Sequence, residues 1–135
     1  MWLVEWQMGQ RPRLLSFLGW FFLVGNLVAI VVILVLWNHP GFNSLLSEGS
    51  MPAWWYKAQG LALSAAMAAA GYGILNGLDW SRYLYIGVHA VSMLFDYIVD
   101  ERLPDRPVAL LFIAASSTCL FLPASNRWFG YRRRY

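Results

Sequence analysis

Leu14 to Trp37 is a run of 24 residues without one charged side chain. A helix needs about 20 predominantly apolar residues to cross the hydrocarbon of a bilayer. The run therefore predicts a membrane span over 14–37. It exceeds the 7–15-residue core of a secretory leader, and no small-residue cleavage site follows it, so a retained span is expected. No Met-Gly start or C-terminal Cys motif points to a lipid anchor.

The rest of the chain has the same character. Apolar residues make up 59% of its 135 positions and charged residues 13%, about half the charged share of a soluble domain. That leaves too little polar surface to cover a soluble particle, and too much apolar surface for a disordered chain. Further spans are expected at about 53–75, 80–99 and 107–122. Their boundaries are breakers. Asn38-His39-Pro40-Gly41 opens a polar loop through Pro52, Asn76-Gly77-Leu78-Asp79 makes a tight turn, Asp100–Arg106 is a short charged link, and Pro123 ends the fourth span. Residues 1–13, with Trp2 and Trp6 on one helical face, read as an interfacial segment lying on the membrane. The expected fold is all-α: one domain, 1–135, built as a transmembrane four-helix up-down-up-down bundle.

Seven basic residues, Arg11, Arg13, Arg82, Arg127, Arg132, Arg133 and Arg134, fall on one side of this topology. Three, Lys57, Arg102 and Arg106, fall on the other, beside Asp100, Glu101 and Asp105. The richer side is expected in the cytoplasm, so both termini lie inside and the 38–52 loop outside. The formal charge of +3 thus reads as membrane orientation, and nucleic-acid binding is not expected. Trp54, Trp55, Trp80, Arg82, Trp128 and Arg132–Arg134 are the expected interface anchors.

Polar residues inside the spans are few and lie at similar depths. Asn26, Ser64, His89 and Ser116 (with Ser117) each fall near the middle of their span. Polar groups there are costly unless paired, which predicts a mid-membrane layer with Asn26 and His89 within hydrogen-bond reach. Lys57 precedes Ser64 by seven residues and Asp96 follows His89 by seven. On antiparallel helices both steps rise about 10.5 Å toward the outer face, which predicts an ion pair between Lys57 and Asp96. The spacing of Ala65, Ala69, Gly73 and Gly77 gives the second span a stripe of small residues for close packing. Cys119, the one cysteine, excludes an intrachain disulfide and reads as a small core residue.

Chemistry-bearing motifs are missing from the sequence. There is no Gly-x-Ser-x-Gly, no HExxH, no phosphate-binding glycine loop and no second membrane-embedded histidine to share a haem. Span one lacks the acid on which small multidrug exporters rely. No cofactor and no enzymatic activity are expected.

Two segments resemble small bacterial four-span inner-membrane proteins, which are largely uncharacterised. Gly77-Leu78-Asp79-Trp80-Ser81-Arg82 is similar to their G-x-x-W-[AS]-R turn. Leu120-Phe121-Leu122-Pro123-Ala124-Ser125-Asn126-Arg127-Trp128-Phe129 is similar to their LF-x-P-x-x-N-x-[WY]-F close. The resemblance implies a bacterial inner membrane and no established activity. Within it, Asn126 is expected to bond the freed carbonyls at the end of span four, with Trp128, Phe129 and Tyr131 in the headgroup region. The function expected is contact with a membrane or periplasmic protein partner, with Phe42, Leu45 and Leu46 exposed on the outer loop. The alternative is a small transporter or channel built around His89.

Overall fold

In the computed structural model the structure describes residues 12–100 and 107–132. These form six helices and no strand: α1 (Arg13–Val35), α2 (Pro40–Ser47), α3 (Ala53–Leu75), α4 (Trp80–Asp100), α5 (Pro107–Phe121) and α6 (Pro123–Arg132). The interfacial segment expected at 1–11, the link 101–106 and Arg133–Arg134 lie outside the described residues.

Helix α3 is central, packing most heavily on α1 and then on α4. It runs antiparallel to α1: Gly19 lies against Gly71 and Leu75 at one end, and Ile33 against Gly60 toward the other. Phe22 joins three helices. Its ring is 4.8 Å from that of Tyr85 on α4 and 6.4 Å from that of Phe112 on α5. Leu15, Leu18, Phe22, Ile74, Tyr85, Leu120 and Phe129 form the core, and Cys119 packs partly buried against it.

The close approach of α1 and α3 is not made by the expected stripe. Ala65 and Ala69 are exposed. The contact is made by Gly71 instead, where an added Cβ would lie 2.6 Å from Leu23 N and 2.8 Å from Gly19 O. Gly73 faces Ser81 of α4. A central helix with two neighbours needs two small-residue faces, and a single four-residue repeat describes only one.

Helix α3 ends in a Schellman motif. Gly77 takes φ of +67°, Leu78 N–H donates to Gly73 O at 2.8 Å, and Gly77 N–H donates to Ile74 O at 3.2 Å. Only glycine adopts that backbone without steric cost, so the chain reverses directly into α4.

Two expected loops are helical. The outer connection contains α2, because Pro40 fits the first helical position, where no N–H is needed. Pro123 ends α5 as expected, but it also starts α6 in the same way.

Beside the apolar core, polar side chains are buried and many large apolar ones are exposed. Lys57, Ser81, Arg82, Ser116 and Ser125 are buried, while Phe17, Val31, Val35, Leu94, Ile98 and Leu111 are exposed. Two helices, α1 and α3, are long and apolar enough to cross a membrane. Helix α4 has the length but carries polar residues on its inward side. Helix α5 has 15 residues and spans only about 22 Å on its own.

Candidate functional site

The polar side chains gather at three levels. At the α1 N-terminal end, Arg82 sits in the first turn of α4 and is only 8% exposed. One guanidinium nitrogen pairs with Asp79. Another donates to Asn126 Oδ1 at 2.5 Å. The guanidinium carbon lies 4.5 Å from the Phe129 ring centre and 5.0 Å from that of Phe121. Asn126 meanwhile donates through Nδ2 to Phe121 O at 3.1 Å, the carbonyl bond expected of it. Ser125 donates to Cys119 O at 2.6 Å. Trp128 Nε1 donates to Ile74 O at 3.3 Å and stacks over Gly77.

The two segments that carry the resemblance therefore pack against each other. Arg82, Trp128 and Phe129 were expected as interface anchors or headgroup residues; here Arg82 and Phe129 are buried and Trp128 is half-buried. The cause is α6, which folds back after Leu122 and brings its apolar side onto the bundle. Trp54 and Trp80 are exposed at helix starts, where anchors are expected. Tyr131 and Arg132 have no described side-chain placement.

At mid-depth the expected layer does not assemble. Asn26 Nδ2 donates to Phe22 O, one turn back on its own helix, at 2.7 Å. It is satisfied there without a neighbour, so it makes no bond to His89. The His89 ring instead meets the Tyr85 ring edge-on at 4.6 Å, and its buried Nε2 has no partner among the described residues. Ser64 is half-buried. The cross-helix bond at this level joins Tyr85 Oη and Ser116 Oγ at 2.5 Å. Ser116 also lies 2.6 Å from Phe112 O, so Ser116 donates to that carbonyl and accepts the tyrosine proton. Tyr85 as the partner of Ser116 was not legible in the sequence.

At the opposite end Lys57 is 6% exposed and does not pair with Asp96. Its ammonium donates to Trp37 O at 2.5 Å and to Asn43 Oδ1. It also sits 4.9 Å from the Trp37 ring centre. Trp37 O is available because Trp37 lies in the turn just beyond the end of α1 at Val35, outside the helical hydrogen-bond ladder. Asn43 is brought there by α2, an element the sequence reading treated as loop. Asp96 instead borders a cleft between α3 and α4. No three His, Cys, Asp or Glu side chains converge among the described residues.

No family model, no curated protein and no solved structure matches this chain.

Proposed function

We propose that this chain is a multi-pass bacterial inner-membrane protein that acts, without catalysis, by contact with a membrane or periplasmic partner. In this reading α1, α3, α4 and α5 form the four-span up-down-up-down bundle, with both termini cytoplasmic. The exposed apolar surface supports it. The outward sides of α1 and α5 are largely apolar, and on α4 Ser81, Arg82 and Tyr85 are buried while Ile86, Val91, Leu94 and Ile98 are exposed, an arrangement that suits lipid. The short α5 is followed by a bend at Leu122, and exposed Arg127 on α6 suits contact with the headgroups.

The observation that carries the partner reading is the Lys57 latch. A buried ammonium holds a short outer helix in place, and Leu45 on that helix is 68% exposed. Phe42, by contrast, is half-buried beneath the latch, and Leu46 is half-buried as well. An ordered helix that offers an apolar side chain presents a recognition element at low entropic cost.

A photo-reactive amino acid at position 45, in cells, should give a discrete protein adduct that one at lipid-facing Leu27 does not. The adduct should disappear with Lys57→Met, which frees α2. Equal labelling at 45 and 27 would overturn the proposal. The transporter reading has less support, because the polar layer it needs is divided between a local Asn26 bond and a Tyr85–Ser116 bond.

A further inference from the structure

We infer that the cleft between α3 and α4 binds the ammonium head of an amphiphilic organic cation, with Asp96 as its counter-charge. The cleft holds about 220 Å³. Tyr56, Gln59, Gly60 and Leu63 line it from α3, and Phe95 and Asp96 from α4. It rests on the membrane-embedded reading of these two helices, but not on the partner contact.

The argument begins with charge. Asp96 is exposed at the rim of the cleft, one turn from the C-terminal end of α4 and beside the exposed apolar side chains Leu94 and Ile98, and a carboxylate set among lipid-facing groups is stabilised by a cation. Lys57, the basic residue nearest in depth, is bound by Trp37 and Asn43 on the α1 side of α3. Asp96 makes no ion pair among the described residues, where the one such pair is Arg82–Asp79.

The walls specify its chemistry. Phe95 presents a ring that is held by Trp55 at 6.0 Å, and Tyr56 presents a second. Aromatic faces beside a carboxylate favour an organic ammonium over a hydrated metal ion. The Gln59 side-chain carbonyl can accept an N–H. Gly60 and Leu63 give an apolar floor for the first methylenes. The volume equals about seven waters at ~30 Å³ each, below the roughly 300 Å³ of a drug-sized site. It takes a head and a few carbons, and the tail of the ligand lies outside the cleft in lipid. Ser50 donates to Val99 O at 3.0 Å and ties the outer loop to the end of α4, beside the cleft.

The test uses the full chain in dodecyl maltoside, read by native mass spectrometry with dodecylamine, dodecanol and dodecanoate as probes of equal tail length. Dodecylamine should be retained, with the other two at least about tenfold weaker. Asp96→Asn should weaken dodecylamine by about tenfold with an unchanged Tm, and Phe95→Leu and Gln59→Leu by about threefold each. Glu48→Gln, an exposed acid outside the cleft, should change nothing. If phosphatidylethanolamine displaces dodecylamine and phosphatidylglycerol does not, the natural cation is a lipid headgroup. If neither displaces it, the cation is a non-lipid amphiphile. Retention of dodecanol equal to that of dodecylamine would overturn the inference. So would full retention by Asp96→Asn, or, if that variant fails to fold, by both Phe95→Leu and Gln59→Leu. None of these outcomes bears on the adduct at position 45.

Discussion

The guanidinium of Arg82 faces Asp79 on one nitrogen, Asn126 on another and the Phe129 ring across its plane. A planar fork can do this; a lysine ammonium on a flexible stem cannot. Asp79 is only partly exposed, so removing Arg82 takes an ion-pair partner from a half-buried carboxylate and the packing of the guanidinium from Phe121 and Phe129. Arg82→Met should destabilise the protein by about 3 kcal/mol, measured by thermal unfolding in detergent. Arg82→Lys should recover less than half of that loss. Asn126→Ala should cost about 1 kcal/mol, because Phe121 O then loses a donor that helix α5 cannot replace. Lys57 behaves differently, because its partners belong to the outer loop. Lys57→Met should speed protease cleavage within residues 40–52 by about tenfold, as expected for release of a locally stabilised segment, and leave the Arg82 end of the bundle unaffected.

At the scale of elements, the α1–α3 contact depends on backbone approach at Gly19 and Gly71. Both atoms nearest an added Cβ at Gly71 belong to the α1 backbone, and a helix backbone cannot rotate away as a side chain does. Gly71→Ala should therefore cost roughly 1–3 kcal/mol. Gly87, in α4, has nothing within 4 Å of an added Cβ. Gly87→Ala should be neutral or stabilise by up to about 1 kcal/mol through helix propensity. Thermal unfolding of the two variants side by side measures the difference between packing and intrinsic preference. The four long helical segments were legible in the sequence. Uncharged length marked α1, and Pro, Gly and Asn marked the ends of α3, α4 and α5. The short helices α2 and α6 were not, because eight to ten residues beginning at a proline satisfy loop and helix signals alike.

For the whole molecule, the asymmetric distribution of basic residues predicts orientation. A periplasmic phosphatase inserted after Gly49 should be active, and the same enzyme fused at Tyr135 should be inactive. Activity at Tyr135 would invert or break the four-span topology. Helix α3 lies between α1 and α4. Helix α5 is held to them by the Tyr85–Ser116 bond, by Phe112 against Phe21 and Phe22, by Phe121 against Tyr83 and Arg82 and by buried Leu120.

The sequence by itself determined what is additive along the chain. Apolar length, breaker positions and the lopsided arginines each act locally, and together they specify four long helical segments, their boundaries and the expected sidedness. Asn126 was also legible, because its acceptor lies five residues away in the same segment. The tertiary structure decided the pairings. Asn26 turned to its own helix, Lys57 found Trp37 and Asn43, and Arg82 found Asn126 across 44 positions of sequence. Depth in a helix is linear in residue number and can be counted. The side of the helix on which a polar group finds its partner depends on helix rotation and on elements elsewhere in the chain. Lys57 and Asp96 share a depth but not a side, since α2 supplies the lysine with nearer oxygens on the α1 side of α3.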